Sequence, residues 1–135
     1  MLIGRSEWLD EFEKLRLPYN INVLTQVAAS FALKHYDALL AQTELLKQER
    51  ARVAAALAKI GGITQFPSEA NFILIRVADV PKTFEALLSR RILVKNTSAS
   101  HPLMANTLRL TIGTVTENDA LLDALYDAMH AALKS

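Results

Sequence analysis

Apolar positions recur along the chain with two different periods, and the change falls at Gly61-Gly62. Before that pair the spacing is helical. Leu24, Val27, Ala28 and Phe31 step by three and four, which predicts a helix over 22–33 capped by Asn20 or Asn22. After a break near His35-Tyr36-Asp37, a mostly apolar seam runs through Tyr36, Leu39, Thr43, Leu46, Arg50, Val53 and Leu57. It predicts a long helix over 36–60, with Glu44, Lys47, Glu49 and Arg52 on its exposed faces and the glycine pair as its stop. Ahead of both, Ser6 is placed to cap a short helix through Leu15 that puts Trp8, Leu9 and Phe12 on one face. Met1 to Gly4 reads as β-like, and Pro18 biases Leu17 towards an extended conformation.

Beyond residue 62 the period shortens towards two. Ile63–Phe66 and Asn71–Val77 read as strands, and Pro81 opens a helix to about Arg90. Ile92–Lys95 reads as a third strand, and 96–106 as a polar loop. In 107–112 the alternation is clean: Leu108, Leu110 and Ile112 face one way, Arg109 and Thr111 the other. Thr116-Glu117-Asn118-Asp119 resembles a capping box with Asp in the place of the usual Glu or Gln. It opens a last helix with Leu122, Leu125, Met129 and Leu133 on one face. The expected fold class is α+β: a helical N-terminal segment leading into a β-β-α-β-β-α sandwich, its helices on one face of a mainly antiparallel sheet.

Composition narrows this picture. A chain of 135 residues that is 51% apolar has the length of one domain and enough apolar surface for a real core. With 21% charged residues and a net charge of +1, it carries no electrostatic footprint for nucleic acid or an anionic membrane. Zero cysteines exclude disulfides and thiolate metal sites. The first residues carry Glu7, Asp10, Glu11 and Glu13, unlike the basic start of a secretory signal, and no apolar run approaches a membrane span. A cytoplasmic protein is expected.

Few residues suggest chemistry. Arg109 sits in mid-strand, where a rigidly held guanidinium offers a carboxylate two parallel charged hydrogen bonds. On an edge strand it would instead simply face water. Lys95, at a strand end, is either a point charge for an anion or a solvated lysine. Asn71 either orients a ligand or completes a turn. Tyr19, at the bend after Pro18, reaches a site through its hydroxyl or merely packs. His35, His101 and His130 lack metal-ligand spacing, and four glycines form neither a P-loop nor a dinucleotide fingerprint.

Five blocks in register carry a family resemblance: Arg16-Leu17-Pro18-Tyr19-Asn20 with Asn22-Val23-Leu24-Thr25-Gln26; Pro67 to Leu74; Ile92-Leu93-Val94-Lys95-Asn96; Leu108 to Thr114; and Glu117-Asn118-Asp119. Together they resemble the C-terminal small domain of fold-type I, pyridoxal-phosphate-dependent aminotransferases of the histidinol-phosphate type. The resemblance implies that 1–20 are the remnant of a large domain and a connecting segment. It makes 21–135 the small domain, helical over 21–60 and α+β over 61–135. It implies amino transfer between histidinol phosphate and 2-oxoglutarate in histidine biosynthesis, by a homo-oligomer acting on amino and oxo acids.

The resemblance also assigns roles. Arg109 grips the substrate carboxylate, and Lys95 and Tyr19 lie near the substrate's phosphate end; Asn71 stands beside them as a further substrate-binding candidate. Such enzymes require a lysine for the Schiff base, in a Ser-rich segment before Gly-Leu-Arg. Lys14, Lys34, Lys47, Lys59, Lys82, Lys95 and Lys134 all lack that context. The expectation is therefore a truncated gene, a misplaced start or a fragment. Alone it would be inactive, without catalytic residues of its own and without bound pyridoxal phosphate. The alternative is a non-catalytic carboxylate-binding or protein-interaction module.

Overall fold

The computed structural model describes residues 4–15 and 21–132 of the chain. Met1–Ile3, Tyr19 with its neighbours 16–20, and Leu133–Ser135 lie outside the described residues. The chain divides into two compact units, Met1–Leu40 and Ala41–Ser135.

The first unit holds α1 (Ser6–Leu15), α2 (Val23–Lys34) and the start of α3 (Tyr36–Leu57). Ser6 lies inside α1 rather than capping it; the Arg5 carbonyl accepts the first helical bonds, from the amides of Trp8 and Leu9. Asn22 does cap α2, its side-chain oxygen accepting from the Thr25 amide at 2.8 Å. The break at His35 is real: its amide bonds back to Phe31 and Ala32 and closes α2.

The second unit continues α3 and adds β1 (Thr64–Gln65), β2 (Phe72–Arg76), α4 (Val80–Ser89), β3 (Lys95–Asn96), a 3-10 turn at Pro102–Met104, β4 (Thr107–Thr111) and α5 (Val115–Ala132). The fold is α+β. Its four-stranded sheet is antiparallel throughout, in the order β1-β2-β4-β3. Ile73 and Ile75 of β2 pair with Leu110 and Leu108 of β4, and this inner face is fully covered. Val53 and Leu57 of α3, Val80 and Leu87 of α4, and Leu121, Leu125 and Met129 of α5 complete the same core. Burying side chains of this size contributes about 1.5–3 kcal/mol each, which is what drives the layers together.

Three boundary differences from the sequence expectation have a clear backbone cause. Helix α3 stops at Leu57, not 60, because Lys59 and Ile60 bond back three residues and tighten the last turn before Gly61. Gly62, at φ +85°, supplies the left-handed turn there.

The third strand is not Ile92–Lys95 but the pair Lys95–Asn96. Helix α4 ends in a Schellman turn: the Ile92 amide bonds to the Leu87 carbonyl at 3.0 Å and the Arg91 amide to Leu88 at 2.8 Å. Ile92 has thereby spent the donor that a strand would need. Arg91 occupies the left-handed position of this turn, at φ 61°.

The capping box of α5 lies two residues earlier than expected. Thr114 is the cap: its amide and hydroxyl both donate to Glu117 Oε2 at 2.8 Å, and its carbonyl accepts from the Asn118 amide. Glutamate thus stands where the motif wants it, and the reading from Thr116 was out of frame.

Candidate functional site

The outer face of the sheet is built by alternation. With Ile73, Ile75, Leu108 and Leu110 turned inward, Phe72, Leu74 and Arg76 of β2 and Thr107, Arg109 and Thr111 of β4 must point outward. Pairing then fixes neighbours. Arg109 stands opposite Leu74 on one side and opposite Lys95 of β3 on the other. Its guanidinium lies over the Phe72 ring, 5.3 Å from the centroid.

Two cations thus sit side by side on a solvent-facing, partly aromatic surface. Both are exposed, and among the described residues neither has a carboxylate within ion-pair range. Like charges directly opposite each other disfavour strand pairing. An anion bridging them would remove that repulsion, and the planar fork of Arg109 suits a carboxylate or phosphate.

Arg109 is therefore on an interior strand, not on an edge, and Lys95 is its cross-strand neighbour. Lys95 lies within β3 rather than ending the strand before it. Asn71 is exposed at the entrance to β2, next to Phe72, and its carbonyl accepts from the Ile112 amide at 2.9 Å. The turn before it is completed by Ser68, whose hydroxyl oxygen accepts from the Ala70 amide and donates to the Phe72 carbonyl. The structure thus brings together Arg109 and Lys95, with Asn71 one residue from the ring under Arg109. Tyr19 lies outside the described residues.

Phe72 and Arg76 escaped sequence reading as site residues. Arg76 donates to the carbonyls of Leu103 and Ala105, at 2.7 and 3.1 Å, and its guanidinium stacks over Phe66 at 5.2 Å. It pins the loop between β3 and β4 to the outer face. Only strand register reveals either role, and alternation within one strand does not supply register.

Behind the sheet, a polar latch holds the exit of β4. Asn118 is buried; its side-chain oxygen accepts from the Gly113 amide at 2.9 Å, and its amide nitrogen donates to the Gly113 carbonyl and to Glu49 Oε2. Glu49 is also gripped by Arg52, which reaches on to Asp119. The Arg52 and Asn118 hydrogen bonds hold the Glu49 carboxyl below the usual carboxylate range. Glu49 and then Asp119 raise the Arg52 guanidinium above its ordinary value. The Thr114 backbone amide, followed by its hydroxyl, likewise lowers Glu117.

Pyridoxal phosphate needs a lysine shielded from water to hold it as a Schiff base. Lys14, Lys34, Lys47, Lys59, Lys82 and Lys95 are all exposed, so the described lysines do not fit that cofactor. What the outer face offers is the positive charge of Arg109 and Lys95. Among the described residues no group of acidic or histidine side chains suits a metal, and no helix is long and apolar enough to cross a membrane.

Comparison with known proteins agrees in extent and kind. Histidinol-phosphate aminotransferase 1 of Burkholderia lata is 53% identical over 128 residues, 95% of this chain but 36% of that protein. Histidinol-phosphate aminotransferase 2 of Cupriavidus pinatubonensis is 50% identical over 90% of this chain and 33% of its own length. The chain thus spans about a third of the curated relatives it matches. Among solved structures, a putative aminotransferase from Burkholderia pseudomallei superposes with a TM-score of 0.79 at 30% identity, covering 93% of this chain and 38% of that one. The histidinol-phosphate aminotransferase of Clostridium acetobutylicum gives 0.78 at 27% identity, covering 94% and 39%. The family model for class I and II aminotransferases matches residues 1–125, and this chain belongs to that family.

Proposed function

We propose that this chain forms the substrate-anion wall of a pyridoxal-phosphate-dependent aminotransferase of the histidinol-phosphate type. Residues 1–20 would join it to a large domain, and 21–135 would be the small domain, with 61–135 as its β-β-α-β-β-α sandwich. The observation that carries this reading is the pair Arg109 and Lys95, cross-strand neighbours on an open face with Phe72 beneath the guanidinium. The substrates suit it, since histidinol phosphate bears a phosphate ester and 2-oxoglutarate two carboxylates. Arg109 grips one anionic group through two charged hydrogen bonds and orients it; Lys95 adds a point charge at its side. Asn71 would add a polar group beside this pair, and the resemblance gives Tyr19 a role near the substrate's phosphate end. The chemistry of amino transfer belongs to pyridoxal phosphate, whose Schiff-base lysine comes from the large domain. The assembled enzyme is a cytoplasmic homo-oligomer.

The test is a chimera. The chain replaces the matching segment of the Burkholderia lata relative, and amino transfer from histidinol phosphate to 2-oxoglutarate is measured. The chimera should be active. Arg109→Lys should then raise KM about tenfold or more, because a charged hydrogen bond worth about 1.5–3 kcal/mol is lost. Unchanged kinetics would remove Arg109 from the site. A folded but inactive chimera would count against the whole reading. For the 135-residue chain by itself, treatment with pyridoxal phosphate and borohydride should label no single lysine stoichiometrically. Trapping at one site would show that the exposed lysines had been misjudged.

A further inference from the structure

Strand β3 is only two residues long and lies at the sheet edge, yet it must hold Lys95 against the repulsion of Arg109. Two backbone pairings are little to fix a register, and a slip of one residue would turn Lys95 to the other face. Something else has to hold the strand in place. Immediately after it stands a hydroxyl cluster. Thr107, the first residue of β4, is on the outer face but 0% exposed, because the loop 97–106 folds over it. Its hydroxyl donates to the Met104 carbonyl at 2.6 Å. The Thr97 hydroxyl lies 2.7 Å from it, a contact in which either oxygen can donate, and is also within reach of the Thr107 carbonyl at 3.1 Å. The Thr107 carbonyl accepts from the Thr97 amide at 3.1 Å and from the Ser98 hydroxyl at 3.3 Å. The Thr97 carbonyl in turn accepts from the amide and hydroxyl of Ser100.

We infer that Thr97 and Thr107 are positioning residues that lock β3 in register and keep Lys95 beside Arg109 as a two-cation site for dianions. The inference rests on the proposed anion-binding role of this face and adds to it the part played by the two threonines. The Thr107 hydroxyl links Thr97 to Met104, so removing it loosens the contact at both ends. The part-buried Met104 carbonyl then loses its hydroxyl donor, and the Thr97 hydroxyl keeps only its longer bond to the Thr107 carbonyl. Arg76 braces the far side of the same loop through the Leu103 and Ala105 carbonyls, so the loop persists while its grip on β3 loosens.

The experiment uses the full 135-residue chain, followed by NMR. Thr107→Val keeps the shape and removes the hydroxyl; Thr107→Ser keeps the hydroxyl. The first readout is the cross-strand NOE between Lys95 and Arg109. It should vanish in Thr107→Val and survive in Thr107→Ser, while NOEs between β2 and β4 persist in both. The second readout is titration with inorganic phosphate, at a mildly alkaline pH where it is a dianion, against acetate. The unaltered chain should prefer phosphate about two- to fivefold, the worth of one exposed ion pair. Thr107→Val should abolish that preference, and Thr107→Ser should restore it. Persistence of the Lys95–Arg109 NOE in Thr107→Val overturns the inference, and so does loss of the NOE with an unchanged preference. Equal loss in Thr107→Ser also overturns it, since the hydroxyl would not then be the cause. An unaltered chain that binds phosphate no better than acetate sinks the two-cation reading itself, whatever the NOE does.

Discussion

At the scale of single residues, the least replaceable side chain outside the sheet is Asn118. It serves both polar groups of Gly113 and one oxygen of Glu49 from a buried position. Asn118→Ala would take this partner from both polar groups of Gly113 while Glu49 keeps Arg52, and the loss should be about 1–3 kcal/mol in urea unfolding. A loss below about 0.5 kcal/mol would mean that water replaces the amide freely. Arg91 behaves in the opposite way. It holds the left-handed position that glycine fills without strain, so Arg91→Gly should not destabilise and is expected to gain about 0.5–1 kcal/mol. A clear loss would reveal that the arginine side chain has a partner which outweighs the backbone strain. Arg109 was legible as a residue from its place in an alternating strand. Its neighbours were not. That Lys95 stands opposite it, and Phe72 under it, depends on the pairing of strands 14 and 37 positions away in sequence, which no local pattern encodes.

At the scale of elements, helices and strands followed periodicity closely, and the misreadings cluster at their ends. Each has a local cause: the Schellman turn consumed the start of the third strand, and Thr114, not Thr116, proved to be the cap of α5. In both, the decision lay with a backbone donor that a side-chain pattern does not report. The cap makes a pH prediction. Glu117 and Glu49 both have lowered pKa values in the folded chain, so they contribute stability at pH above the ordinary glutamate range. That contribution is lost as the pH falls through their lowered values. Thermal melts should therefore show a drop in Tm on the acid side, and Glu117→Gln should flatten part of it. An unaltered slope would mean that the Thr114 bonds do not survive in solution. Gly113→Ala should act on the same cap, since a new Cβ would come within 2.5 Å of Glu117 Oε2 and displace the carboxylate from Thr114. A cost of about 0.5–2 kcal/mol is expected.

At the scale of the whole molecule, the second unit carries the complete core, whereas the first carries apolar side chains with little cover. Trp8 and Phe12 of α1, and Val23, Leu24, Val27, Phe31 and Leu33 of α2, are all largely exposed. Apolar surface of this kind favours association. Light scattering on the 135-residue chain should show concentration-dependent self-association, relieved by Val27→Ser with Phe31→Ser. A strictly monomeric chain would contradict this. These apolar faces are legible in the sequence as helical stripes. The 22–33 and 36–60 patterns look alike, yet only the end of the second, Val53, Leu57 and Ile60, is buried in the core.

The pairing of β2 with β4 also sets the order of assembly. Phe72 meets Thr111, and Arg76 meets Thr107, so the two middle strands are joined across the whole of α4 and β3. Such distant partners close slowly, because the entropy of the intervening loop is lost before any contact compensates. During synthesis, α3 and β2 emerge with Ile73 and Ile75 still uncovered, and they stay so until β4 and α5 follow. The outer face around Arg109 is thus among the last features of the fold to exist, and until then those uncovered isoleucines are open to misassociation.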